Sequence, residues 1–138
     1  MIAKYVLDSC ALLAYVYNEV GSDVVESALE QADEGRTKLY MNKLNLFEVY
    51  YDILRSEGFQ QAENFYSMVQ MSSVNVIDSM SDSVFREAER IKTQYKMSLA
   101  DSIALGETSV LGATILTSDH HEFDIVEQNE KIKFAWIR

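Results

Sequence analysis

The chain has 138 residues, 48% of them apolar, and 22 acidic side chains against 12 basic ones give it a formal net charge of −10. That length suits one domain, 1–138, with a sizeable core, and the acidity excludes a generally basic nucleic-acid coat while leaving room for clustered acids that hold metal cations. The single cysteine, Cys10, excludes a disulfide framework and an all-cysteine zinc site, and a reducing, cytoplasmic setting is the simplest expectation. Lys4 and Asp8 interrupt the first apolar stretch, which makes a poor secretory signal. No apolar run reaches the ~20 residues that span a bilayer, so no membrane partner is expected. The negative charge favours solubility and suits a basic partner.

Taken in order, residues 2–7 predict a short buried strand and residues 9–17 a helix with Leu12, Leu13 and Val16 as its stripe. A second helix is expected over 22–33, with Val24, Val25, Ala28, Leu29 and Ala32 inward, then a strand over 38–41. Residues 43–56 predict a helix carrying Leu46, Phe47, Tyr50, Tyr51 and Leu54, ended by Gly58. A helix over 59–71 would complete an αα-hairpin, followed by a strand over 74–77. Residues 81–95 predict a long amphipathic helix with Val84, Phe85, Ala88 and Ile91 inward, and 98–111 a further helix. Strands over 113–117 and 132–137 close the chain. Alternating strands and helices of this kind make an α/β fold, a mostly parallel sheet covered on both faces.

Three acids fall at strand-to-helix turns or early in a helix. Asp8 follows the first strand, Asp119 follows the 113–117 strand by two residues, and Asp101 stands in the first turn of the 98–111 helix. Ligands of open α/β sheets gather outside the carboxyl ends of the strands, and adjacency of the two strands would bring Asp8 and Asp119 together. Glu48, in "MNKLNLFEVYYDI", is flanked by bulky apolar residues and shares a helix face with Asn45. Carboxylates converging without Lys or Arg repel one another. A divalent cation relieves that, and all-oxygen ligands favour Mg²⁺ or Mn²⁺ over zinc.

Each acid also has an ordinary reading. Asp8 can cap the helix that follows it, Ser98 and Asp101 fit a capping box, Glu48 can be a half-exposed helical acid, and Asp119 can be a turn residue. The set of four, each at a break in an apolar pattern, favours function. His120 and His121 read as a solvated loop, since no zinc-ligand spacing supports them. Asp124 is a candidate fifth acid or a cap, and Cys10 a small buried hydrophobe. The aromatics Tyr50, Tyr51, Phe65 and Tyr66 read as core or dimer surface rather than a base-stacking platform.

The stretches "YVLDSCALLAY", "LNLFEVYYDIL", "SLADSIALGE" and "ATILTSDHHEFD" resemble, in order and spacing, the four acidic motifs of PIN-domain ribonucleases, whose best-known small members are the VapC-type toxins of toxin–antitoxin pairs. The likeness runs from Tyr5 to "IKFAWIR". It implies a PIN-like three-layer sandwich with a sheet of about five parallel strands and helices on both faces. It also implies that Asp8, Glu48, Asp101 and Asp119 form a pocket for Mg²⁺ or Mn²⁺, with Ser9, Asn45 and Thr117 as neighbouring polar groups that fix the carboxylates. Many relatives of one branch carry Gly-Asp-Pro where this chain has Ser118-Asp119-His120, a departure in the last acidic loop that keeps the acid.

The implied function is a metal-dependent endoribonuclease that cuts RNA phosphodiesters to leave a 5′-phosphate and a 3′-hydroxyl, with a cognate antitoxin and a homodimer as expected partners. One metal would lower the pKa of an attacking water, and a second would steady the leaving oxygen. Lys43, Arg55, Arg90, Lys92 and Lys96 are candidate phosphate contacts, each with an ordinary reading as a solvated charge. A non-catalytic PIN-like binding module is the alternative. A phosphotransfer receiver domain fits less well, for it expects paired acids at the first strand and a Lys after the last core strand.

Overall fold

The structure, a computed structural model, describes residues 2–138. In chain order the elements are β1 (Ala3–Leu7), α1 (Ser9–Val16), α2 (Ser22–Asp33), β2 (Thr37–Asn42), α3 (Lys43–Glu57), α4 (Phe59–Met71), β3 (Val74–Ile77), α5 (Asp82–Gln94), α6 (Leu99–Leu111), β4 (Thr114–Thr117), α7 (His120–Asn129) and β5 (Lys133–Trp136). The five strands form one parallel sheet in the order β3-β2-β1-β4-β5. Parallel strands need long crossovers, and the helices that supply them cover both faces. The expected α/β architecture therefore holds.

Alternation along the central strands builds two cores. Leu7 and Leu116 join Leu12, Val25, Leu46, Val49, Ile53 and Phe65 under α1 to α4. Val6 and Ile115 face the other way, into Ile91, Leu105, Phe123 and Val126 under α5 to α7. Successive side chains of a strand point to opposite faces, so a strand buried on both sides reads as a continuous apolar run, as Val6-Leu7 and Ile115-Leu116 do. Two glycines permit close approaches. Gly21 has φ +99, and a Cβ there would lie 2.7 Å from the Ile137 carbonyl oxygen; one on Gly106 would lie 3.0 Å from the Ala88 backbone, where α6 meets α5.

One expected loop is helical. Residues 120–129 form α7, capped by Asp119 and buried through Phe123 and Val126. The signal was present in the sequence: an N-cap acid, Glu122 three residues on, and apolar residues three apart. The helix stripes also need correction. Val24 is exposed at 37% and Phe85 at 53%, while α3 buries Asn45, Leu46, Val49 and Ile53 and turns Phe47, Tyr51 and Leu54 outward. A helix buries only the stripe that meets the sheet, and on α3 that stripe lies one position away from Phe47.

Register fixes the edge where the acids stand. Leu7 pairs with Leu116, so Asp8 and Thr117 both leave the carboxyl ends of neighbouring strands. On the other side of β1, strand β2 ends at Asn42. The first turns of α1, α3, α6 and α7 therefore converge at this edge.

Candidate active site

Asp8 spends both oxygens on fixed donors. Its Oδ1 accepts the Ala11 N–H at 2.9 Å, capping α1. Its Oδ2 accepts the Thr117 hydroxyl, whose oxygen in turn accepts the Asp119 N–H at 3.0 Å. Thr117, fully buried, thus ties the first acid to the backbone of the last. Asp119 caps α7 by accepting the Glu122 N–H at 3.1 Å. In α6 the Ser98 hydroxyl accepts the Asp101 N–H at 3.1 Å, so the capping role read for Ser98 is real. Capping and site formation are compatible here: a cap places its carboxylate at a helix N-terminus, and four helices begin along this edge.

The electrostatics follow from burial without a counter-charge. Asp8 is 1% exposed. Burial pushes its carboxyl up from 3.8 to about 7; the bonds from Thr117 and Ala11 pull it down, and the charges of Asp101 and Asp119 push it up again. Asp101 is raised to about 6, by burial first, against the pull of Ser98, with Asp119, Glu48 and Glu122 adding to it. The Cys10 thiol is pushed up to about 12, by burial and then by Asp8, Asp119, Asp101 and Glu48, so it feels all four acids at once. Every charge acting on these three groups is negative.

Glu48 differs from the others. It sits on the exposed side of α3 rather than enclosed by its aromatic neighbours, because Phe47 and Tyr51 are 65% and 52% exposed and stack on each other in solvent. Partial burial raises its carboxyl and the Ser9 hydroxyl beside it lowers it. Asn45, one turn before Glu48, is fully buried, and both its side-chain oxygen and nitrogen lack a protein partner. Buried polar groups are nearly always satisfied, so this amide is a donor and acceptor awaiting something other than protein.

The donor set suits a hard divalent cation: carboxylates without a neighbouring cation, hydroxyls that orient them, and an orphaned amide. Among the described residues, no group of three or more acidic, histidine or cysteine side chains is gathered tightly enough to hold an ion as it stands. Like charges resist closer approach, so binding here calls for the carboxylates to draw in or to act partly through water.

Several other residues fall elsewhere than expected. The fifth acid acting on Asp101 is Glu122, not Asp124. Asp124 bonds His120 Nδ1 at 2.7 Å, and the His120 ring stacks on Trp136 at 3.8 Å between centroids while Nε2 lies 2.9 Å from the Arg138 carbonyl. His120 is therefore a joint between α7 and the end of β5 rather than part of a solvated loop, while His121 is exposed. Cys10 is half-buried. Among the candidate phosphate contacts, Arg90 is held by Glu87 and Glu130, and Lys92 bonds the Met97 carbonyl. Arg55 lies over the Tyr51 ring. The sequence reading missed Asn42 and Glu107, two buried polar residues bonded to each other beneath this edge. The available signal was a glutamate inside the apolar run "SIALGETSVL".

The PIN-domain family matches residues 5–128, and the chain belongs to it. The fold is shared with solved structures at low identity. VapBC2 from Rickettsia felis, bound to a DNA fragment from their promoter, superposes with a TM-score of 0.73 at 14% identity, covering 96% of this chain and 98% of that one. VapBC-1 from nontypeable Haemophilus influenzae gives 0.72 at 16%, covering 97% and 98%. The sarcin-ricin-loop-cleaving toxin VapC20 from Mycobacterium tuberculosis gives 0.60 at 13%, covering 91% and 95%. Comparison with curated proteins gives no match. Membership of the PIN-domain family thus holds, and the fold is the one these solved VapBC and VapC structures share.

Proposed function

We propose that this chain is a divalent-metal-dependent endoribonuclease that hydrolyses RNA phosphodiesters, acting as the toxin of a toxin–antitoxin pair. The observation that carries the reading is the gathering of acids at the carboxyl edge of the sheet, where Asp8 is buried and tied through Thr117 to Asp119, and where the charges acting on Asp8 (Asp101, Asp119) and on Asp101 (Asp119, Glu48, Glu122) are all negative. Membership of the PIN-domain family and the likeness to a sarcin-ricin-loop-cleaving toxin support it.

Asp8, Asp101, Asp119 and Glu48 would hold Mg²⁺ or Mn²⁺, directly or through water. Such an ion supplies Lewis acidity and a water that ionises near neutral pH. Thr117 keeps the Asp8 carboxylate in one orientation, and Ser9 does the same for Glu48, the acid best placed in solvent to orient attacking water. Asn45 offers its free amide to the same edge. Exposed Lys43, at the start of α3, is a candidate contact for substrate phosphate.

The whole chain, 1–138, is read as one PIN-like domain working in the cytoplasm; no helix among the described residues is long and apolar enough to cross a membrane. A homodimer would cover the apolar face made by Leu44, Phe47, Met80, Phe85 and Leu99, all exposed. The net charge of −10 suits a basic antitoxin segment, and the solved VapBC structures with the same fold favour a partner of that kind.

The test is cleavage of mixed RNA by wild type and Asp8→Asn across Mg²⁺ and Mn²⁺ concentrations, with the product ends labelled. Metal-dependent cutting by wild type, leaving 5′-phosphate and lost in Asp8→Asn, is expected. No cutting by either protein under any metal condition returns the chain to a non-catalytic binding module.

A further inference from the structure

A further carboxylate lies beneath the carboxyl edge, unused by the chemistry above. Glu107 stands six residues beyond Asp101 on α6, about 9 Å along the helix axis, and is 3% exposed. Its Oε1 accepts the Asn42 Nδ2–H at 2.9 Å. The other end of that amide, Oδ1, accepts the Asn45 N–H at 2.7 Å, which is the N-cap bond of α3. The cap decides which way the amide faces. Its oxygen must meet the N–H, so its NH₂ is left needing an acceptor, and Glu107 provides one. Both side chains are buried, and either would be costly to leave unpaired.

Asn42 therefore joins two helices that matter. One is α3, which begins at this cap and carries Asn45 and Glu48. The other is α6, which carries Asp101 and Glu107. An apolar side chain at position 107 would fill the same space without the cost of burying a carboxylate. We propose that Glu107 is a positioning residue: through Asn42 it fixes the start of α3 against α6 and so sets where Glu48 and Asn45 stand relative to Asp101. This rests on the reading of the four acids as a metal-dependent nuclease site.

Three variants separate the bridge from the cap and the charge. Asn42→Ser keeps a side-chain oxygen for the cap but removes the amide that reaches Glu107. Glu107→Gln keeps an acceptor in place, and Glu107→Leu removes it. Mn²⁺ affinity by calorimetry, kcat and KM on RNA, and thermal melts are measured on each. Asn42→Ser and Glu107→Leu are expected to weaken Mn²⁺ binding and lower kcat by about tenfold with little change in KM. Glu107→Gln should stay within about twofold, and the double variant Asn42→Ser/Glu107→Leu should lose no more than either single one.

Wild-type Mn²⁺ affinity and kcat in Asn42→Ser overturn the inference, and that variant carries the test if Glu107→Leu does not fold. Glu107→Gln falling as far as Glu107→Leu overturns it too, since an acceptor rather than a charge is claimed. Asp101→Asn distinguishes the two levels. If it abolishes Mn²⁺ binding and cleavage while Asn42→Ser changes neither, only the role of Glu107 fails. If wild type neither binds Mn²⁺ nor cuts RNA, both readings fail together.

Discussion

Two groups of acids at opposite ends of the sheet show opposite electrostatics. Where α6 and α7 end, Arg90 Nε donates to Glu87 at 2.6 Å and Nη2 to Glu130 at 2.8 Å, with Ser109 and Tyr95 hydroxyls completing the two carboxylates. Those bonds hold both acids below the usual carboxylate range. At the other end, where α6 and α7 begin, Asp8 and Asp101 are pushed up to about 7 and about 6 with only negative neighbours. One arrangement is finished by the protein's own cation. The other leaves its charge for something outside the chain, and strongly perturbed groups of that kind mark functional sites.

Substitution at the two ends breaks the comparison most directly. Asp8→Asn and Asp101→Asn are expected to lower metal-dependent RNA cleavage by at least about 100-fold, while Glu130→Gln at the finished end stays within about twofold. Initial rates at saturating Mn²⁺ measure this. Equal losses at both ends would remove the distinction between them.

Stability against pH sharpens the contrast next. Asp8 ionises at about 7 in the folded chain against 3.8 as its ordinary value. The folded state therefore holds this proton more tightly, so the stability it confers is full in acid and is lost as pH rises through about 7. For Asp8 alone, that span corresponds to on the order of 4 kcal/mol. Asp101 (to about 6) and Glu107 (to about 7) act in the same sense. Glu87 and Glu130, held low, do the reverse: their contribution is present above the ordinary carboxylate value and fades as pH falls. Denaturant melts of the metal-free protein should peak near pH 5 and weaken toward pH 8. Asp8→Asn should flatten the alkaline limb. Added Mg²⁺ should restore stability at pH 8 far more than at pH 5, because only the ionised site binds it. A metal-free protein more stable at pH 8 than at pH 5 contradicts the assignment.

Much of this contrast was legible in the sequence, and the rest was hidden for identifiable reasons. The α/β order was readable from the alternating apolar patterns, and the acids stood out because Asp8, Asp101 and Asp119 fall at strand-to-helix turns or early in a helix while Glu48 breaks an apolar helical run; β1 and β4 prove to be neighbours. The start of α7 is less legible, because its signal is an Asp119 cap bonded to the Glu122 N–H and only two buried apolar residues, Phe123 and Val126, in a short stretch that opens with two histidines. Glu48 is exposed, as its reading as a half-exposed helical acid allows, because the aromatics that flank it in sequence, Phe47 and Tyr51, point outward with it and away from the side of α3 that meets the core. The bridge from Asn42 to Glu107 spans 65 residues, and no local pattern encodes a contact of that range. The fate of Arg90 was equally invisible, since one of its two carboxylate partners, Glu130, lies 40 residues away.

The smallest effect is expected at Arg90 itself. Arg90→Met keeps an apolar stem of similar length at its place on α5 but leaves Glu87 and Glu130 without their cation. Glu130 would keep the Tyr95 hydroxyl at 2.6 Å and Glu87 the Ser109 hydroxyl at 2.6 Å, so neither is stranded. The Arg90 side chain is 40% exposed, and solvent screens its share of the pairing. The loss should therefore be about 1 kcal/mol by denaturant midpoint at pH 7. It should shrink as pH falls below the ordinary carboxylate value and the two carboxylates take up protons. Cleavage rate and Mn²⁺ affinity should not move, because Arg90 works at the end of the sheet away from the acids. A fall in either would mean that the two ends are coupled through α6, and that the acidic edge depends on a cation whose direct partners lie beyond it.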